Sequence, residues 1–378
     1  VHHKNKHEIT SGIEEELNSS HKKVLEVIKR NKKATRAQIA KETKLSTQSL
    51  TRLTKQLISL GVILEHSRTE GQRGQPAIYL TIKENVFCSV GVVFEHDRVT
   101  VLLEDFNGEI IQKQCEEGKL LSAQKATELA LKMLDKLFES IDPKVTVLGI
   151  GVSISGFFTN IEGQICSQQD PIGWSHIDFQ KMFAERYDCL CFVENDGNAA
   201  SIGFSLTPTA AKMQSFFLLL FTLDVGGGFV VNGRIVDGAY GNAGEIATLF
   251  NSNTSIPRPT IGSLQQYFND TMGKSIEFED ILEAIDNEHP TVESWIIACA
   301  ESMKYPLKAI QSILDPKAII FTGRLPSKLQ RKLADRVQIS SPSFGGLTAP
   351  KPDIFISTGN NILEAGVTSI PAFYFFSR

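Results

Sequence analysis

The sequence predicts an α/β body of two related lobes behind a small helical head that ends in a β wing. Three observations carry this. A layout of strand, short turn, strand, Asn-Gly turn and strand occurs around Asn107-Gly108 and returns 125 residues later around Asn232-Gly233. Strand-like runs alternate with helical runs through the body, so its sheets are expected to be mixed or parallel. Near the start, three short helical runs precede two strand-like stretches joined by a basic, Gly-rich tip.

The charge is divided. Over 378 residues the net charge is −4, with 42% hydrophobic and 22% charged residues, which suits two or three folded domains and excludes a disordered chain. Residues 1–80 hold fifteen Lys and Arg against eight Asp and Glu, while the rest hold twenty-four against thirty-five. A basic head on an acidic body points to a polyanion partner for the head. There is no secretory pattern and no apolar run of about 18 residues, so a cytoplasmic protein without a membrane partner is expected. The six cysteines form no CxxC and mostly lie in apolar runs, as reduced buried thiols do.

The head comes first. Val24, Leu25 and Ile28 share one face of the first helix. Thr35 and Gln38 have capping-box spacing for a second helix. Ser46 caps a third, in which Leu50, Leu53, Leu57 and Leu60 recur at helical spacing until Gly61 ends it. The outer face of that helix offers Thr47, Gln48, Ser49, Thr51, Arg52 and Lys55, a set suited to base edges and phosphates. "VILEH" and "AIYLTI" then make a hairpin wing around "SRTEGQRGQP", where Arg73 stands between glycines beside Gln75. With Arg36 and Ser46, these are the candidate DNA-binding residues. The alternative use of such a head is protein docking.

In the body, helices are expected near 122–140, 178–187, 262–271, 293–313 and 359–367, and strands at "VTVLGIGVSI", "CLCFVEN", "AIIFTG" and "PDIFIS". The expected domains are an N-terminal arm (1–18), the winged head (19–82), a first lobe (83–205, with the C-terminal helix 359–378) and a second lobe (206–358). A ligand is expected between the lobes.

The body resembles the ROK family (repressors, open reading frames and sugar kinases), of the actin-like ATPase fold. "VENDGNAASIG" resembles the family's END-x-N-A segment, and "GIGVSISGFF" its G-I-x-V-x-G segment. "GGGFVVNGRIVDGAYGNAGEI" resembles its Gly-rich, Asn-Gly and AGE(I/L)G stretch. With the head included, residues 20–378 resemble the ROK transcriptional regulators.

The resemblance implies a sugar site at Gly156, Asn195, Asp196, Glu245 and Gln265. Asp196 stands where the kinases keep their general base, and Gln265 where a second Glu follows the zinc loop. The nucleotide side departs from the kinases. "VFEHD" (93–97) replaces D-I-G-G-T, "TLDVGGG" (222–228) replaces G-T-G-I-G-G-G, and "FTGR" (321–324) replaces a Gly-Gly segment. Each of the first two gains an acid that opposes a triphosphate, so no ATP is expected. At the zinc positions stand Thr248, Ile256, Arg258 and Ser263, so no metal is expected, and Pro257 and Pro259 are expected to stiffen the loop.

The implied function is a sugar-responsive DNA-binding regulator, a repressor of carbohydrate genes. It would act on an operator as a homodimer or tetramer, with the sugar shifting the placement of paired heads. Two alternatives stand beside it: an ATP-dependent sugar kinase with an added head, and a repressor controlled by a protein partner. The body could also be vestigial and bind no ligand.

Overall fold

The computed structural model describes residues 16–66, 78–118, 122–159, 161, 164–167, 171–250, 256–273, 278–357, 359 and 361–377. In the head, α1 (Ser19–Asn31), β1 (Ala34–Thr35), α2 (Arg36–Thr43) and α3 (Thr47–Ser59) precede β2 (Ile63–His66) and β3 (Tyr79–Ile82). The short polar residues before each helix cap it, as their chemistry dictates. Asn18 Oδ1 accepts from Ser20 N (3.0 Å) and His21 N (3.1 Å). Thr35 Oγ1 accepts from Gln38 N (3.2 Å), and Ser46 Oγ from Ser49 N (3.2 Å). The sheet order is β1-β3-β2, and β2 pairs antiparallel with β3, which gives the wing. Arg73 and Gln75 lie outside the described residues.

The body continues with β4 (Phe87–Glu95), β5 (Arg98–Asp105), β6 (Ile110–Glu117), α4 (Ala123–Ser140) and β7 (Thr146–Ile154). Then come β8 (Phe157–Phe158), β9 (Ile165–Cys166), α5 (Pro171–Ser175), α6 (Phe179–Tyr187), β10 (Cys191–Asn195) and α7 (Asp196–Ser205). The second repeat of the layout is β11 (Phe216–Phe221), β12 (Val225–Val231) and β13 (Arg234–Ile235). After it run α8 (Ile261–Met272), α9 (Phe278–Asp286), α10 (Pro290–Ser302), α11 (Lys304–Ala309), β14 (Ala318–Gly323) and α12 (Ser327–Arg336). The chain ends with β15 (Ser343–Phe344), β16 (Leu347–Thr348), β17 (Asp353–Ile356) and α13 (Ile362–Ser377).

Each repeat builds its own sheet. One has the order β10-β7-β4-β5-β6, with β4, β5 and β6 antiparallel. The other has the order β13-β12-β11-β14-β17. Its β11 is antiparallel to β12 and parallel to β14, so this sheet is mixed, as the alternation of elements predicted.

The chain divides into two compact units. One comprises Ile154–Pro171 and Glu194–Gly366; the other comprises the residues before Ile154, Ile172–Val193 and the residues from Val367 onward. The first is built on a core around Phe217, Phe221, Trp295 and Phe321. In the second, the head shares one core with the body: Val24, Leu25, Leu53 and Leu57 pack in the same cluster as Phe87, Phe106, Leu148 and Phe375.

Two helices differ from the sequence expectation. The run 293–313 is not one helix: α10 ends at Ser302, α11 follows, and Ile310–Leu314 form a π-helical turn. Pro306 has no N–H to donate, so the ladder is interrupted there. The last helix, expected at 359–367 from its pattern and at 359–378 as the C-terminal helix of the first lobe, runs from Ile362 to Ser377. Its residues 366–372 are all buried, so it lacks the polar stripe that marks a helix on a surface. Cys88, Cys189, Cys191 and Cys299 are buried free thiols, Cys166 is half-buried and Cys115 is exposed. Among the described residues no helix is long and apolar enough to cross a membrane.

Candidate functional site

The triple glycine lies inside a strand. Gly226, Gly227 and Gly228 belong to β12 and face Leu220, Leu219 and Leu218 of β11. Their smallness serves packing. A methyl group on Gly197, in the first turn of α7, would overlap the Gly227 carbonyl, and one on Gly228 would overlap Ser201 Oγ. Backbone therefore meets backbone where α7 crosses β12, and this contact fixes the N-terminus of α7.

At that N-terminus the chemistry of the segment "END" becomes geometry. Asn195 caps α7: its Oδ1 accepts from Gly197 N at 2.7 Å. Asp196 Oδ1 accepts from the same N–H at 2.8 Å, where the helix dipole favours a carboxylate. The Asn195 amide points the other way, donating to the Gly156 carbonyl and, at 3.0 Å, to Glu245 Oε1. Asn195 and Asp196 are buried, and Glu245 and Gly156 are half-buried at the edge of the cluster. Burial, then the charges of Asp196 and Asp224, push the Glu245 carboxyl up to about 7.

Four of the five expected sugar-site residues thus meet in one cluster: Gly156, Asn195, Asp196 and Glu245. Gln265 lies in the second turn of α8, half-buried. One participant was not singled out in the sequence. Asn242 Nδ2 donates to Phe158 O and its Oδ1 accepts from Phe158 N, both at 2.8 Å, so this side chain pairs with β8 as a strand would. It holds the segment that follows Gly156. Its only signal was its place in "GNAGE".

The two hairpin tips that the resemblance sets against the kinase phosphate loops carry acid–arginine pairs. Between β4 and β5, Arg98 Nε lies 3.3 Å from Asp97 Oδ1 and 3.8 Å from Glu95 Oε2, and Arg98 Nη2 lies 3.2 Å from Glu117 Oε1. Before β12, Arg258 Nη1 donates to both oxygens of Asp224 at 2.7 Å. Two of the residues set by the resemblance at the zinc positions make hydrogen bonds within the fold. Thr248 Oγ1 donates to Glu245 O (2.9 Å), and Ser263 Oγ accepts from Trp295 Nε1 (3.0 Å). Pro257, Pro259 and Thr260 are buried.

In the head, α3 turns Leu50, Leu53 and Leu57 inward and leaves Thr47, Gln48, Arg52 and Lys55 exposed. With Thr51 these line one open depression. Ser46 and Ser49 share the cap, with Ser46 Oγ donating to Ser49 Oγ at 2.9 Å. Arg36 is held within the head, by Thr54 Oγ1 (3.2 Å from Nε) and by the Glu65 carboxylate.

Family models match both parts. Residues 17–63 match the winged helix-turn-helix DNA-binding model, and residues 90–249 match the ROK family model. The chain thus matches a ROK family model behind a winged helix-turn-helix model. An uncharacterised protein of Sinorhizobium fredii, y4fQ, is 28% identical over 89% of this chain and 86% of its own length. A xylose repressor of Caldicellulosiruptor bescii is 23% identical over 59% of this chain, and the match spans only 56% of that repressor. Among solved structures, a ROK family transcriptional regulator described as a homologue of the Escherichia coli MLC protein aligns over 95% of this chain and 98% of its own. Its TM-score is 0.67 at 15% identity. A ROK family glucokinase from Streptomyces griseus aligns over 75% of this chain and 98% of its own, with a TM-score of 0.60 at 17% identity. The body therefore has the fold that these two solved structures share.

Proposed function

We propose that this chain is a sugar-responsive DNA-binding repressor of carbohydrate genes, acting as a homodimer, and that it is not a kinase. The observation that carries the reading is the exposed polar and cationic face of α3 on a chain whose ROK domain gathers Asn195, Asp196 and Glu245. The face offers donors to base edges and charge to phosphates. The cluster offers an amide and carboxylates to sugar hydroxyls. Names of relatives such as the xylose repressor support a sugar as the effector. Paired heads on an inverted repeat favour a dimer.

The kinase reading is disfavoured by charge. Phosphoryl transfer requires a cradle that neutralises phosphate oxygens. Here Arg98 and Arg258 are held by carboxylates at the two positions where that cradle would lie. Threonine, isoleucine, arginine and serine are also a poor donor set for zinc.

The test is selection of genomic fragments by the purified protein, followed by sequencing. Enrichment of inverted half-sites supports the reading; no enrichment with or without sugars removes it. On an enriched site, Arg52→Ala is expected to weaken binding about 10- to 100-fold. Lys55→Ala should lower the salt slope by about one. Fluorescence anisotropy across a salt series checks both.

A further inference from the structure

The head is tied to the body by buried charge as well as by shared apolar core. Lys29, in the last turn of α1, donates from Nζ to Phe106 O at 2.7 Å, and its ammonium stands 4.8 Å from the centre of the Phe106 ring. Two residues before Phe106, on β5, is Glu104, only 3% exposed. The Glu104 carboxylate accepts from Thr368 Oγ1 and, at 3.5 Å, from Ser369 Oγ, both on α13. Burial pushes the Glu104 carboxyl up and the Lys29 ammonium down, and the charge of each opposes the shift of the other. Asp105, whose carboxylate accepts from Asn107 N and Glu109 N, adds its charge to the field at Lys29. Farther along α13, Phe375 packs on Phe87 and Phe106, and Lys22 of α1 stands 4.6 Å from its ring centre.

The other end of α13 belongs to the sugar-site unit. There Gly366 approaches the Ala199 carbonyl of α7, and Gly203 of α7 approaches the Ile362 carbonyl, so closely that neither glycine leaves room for a methyl group. The residue that opens α7 is Asp196. A single helix thus begins against the helix that carries the site and ends in the core of the head.

We propose that Glu104 is a positioning residue for regulation: Thr368 of α13 donates to it, Lys29 of α1 donates to the Phe106 carbonyl two residues further along the same segment, and through this segment α13 sets the head according to the state of α7. This rests on the regulator reading above. The arrangement is suited to a switch because a buried carboxylate tolerates displacement of its partners poorly. A shift of α13 that removes the Thr368 hydroxyl leaves Glu104 under-satisfied, and Lys29 and α1 must adjust.

The experiment uses the full chain with Thr368→Val, Lys29→Met and, as the conservative control, Thr368→Ser. Operator affinity is measured with and without D-xylose, D-glucose and N-acetyl-D-glucosamine, and sugar affinity is measured separately. The sugar that acts on the wild type is expected to change operator affinity by about 5- to 150-fold. Thr368→Val and Lys29→Met should reduce that change to about twofold or less, with sugar affinity unaltered, and Thr368→Ser should restore it. Retention of the full change in both variants overturns the proposal. If the wild type binds its operator and ignores all three sugars, the sugar part of the regulator reading is what fails. Amide exchange in α1 then decides on Glu104: faster exchange in Thr368→Val but not in Thr368→Ser supports it, and unchanged exchange overturns it.

Discussion

A Gly197→Ala variant is expected to lose at least about 3 kcal/mol of stability, enough to open the unit that holds the candidate sugar site. The methyl group would overlap the carbonyl of Gly227, and the carbonyl carbon and nitrogen of that residue stand just behind it. All three are backbone atoms of β12, which is paired with β11 at Gly227, so no rotamer change relieves the overlap. Gly233→Ala provides the contrast. Gly233 turns the β12–β13 hairpin with φ of 74°, yet no heavy atom lies within 4 Å of a methyl group placed there. Only backbone strain remains, about 1 kcal/mol. Chemical unfolding of the two variants, with amide exchange of β12 as a local probe, measures the difference. Equal stability of the two would mean that α7 and β12 are not in backbone contact.

That contrast bears on what a sequence can convey. "AIIFTG" reads as a strand and is one, to the residue, because a short apolar β-branched run between turns has few other uses. The caps Thr35 and Ser46 were legible because an N-cap is a local arrangement of three or four residues. The triple glycine is different. Its resemblance to a phosphate loop was plain, whereas its contact with Gly197 joins residues thirty positions apart and leaves no local pattern. The acids of "VFEHD" and "TLDVGGG" were visible as charges, but Arg98 and Arg258, which hold them, were not visible as partners. In the same way α12 escaped notice, since only Leu329 and Leu333 in "SKLQRKLADR" mark its buried side. For Gly197 with Gly227 and for Arg258 with Asp224, distance along the chain, more than chemistry, hid the contact.

Glu245→Gln is expected to stabilise the protein at pH 8 while weakening its sugar binding. The wild-type carboxyl titrates near 7 in the folded chain, against an ordinary value of 4.5. The folded state therefore retains a proton that the unfolded chain has released. Between those values stability falls as pH rises, and above about 7 the full penalty is in place. Its size is at most about 3 kcal/mol. Glutamine carries no charge to bury beside Asp196 and Asp224, and its carbonyl can still accept from Asn195 Nδ2. The variant should thus gain about 2 kcal/mol at pH 8 and nothing at pH 4.5, read from unfolding curves at the two pH values. Sugar affinity should fall about tenfold, because a charge-assisted acceptor becomes a neutral amide. Operator binding without sugar should not change, since the head lies in the other unit. Loss of stability at pH 8 would make Glu245 a structural acid and remove it from the sugar site. A gain in stability together with weaker sugar binding is what a ligand-binding carboxylate, held ready at the expense of the fold, should give.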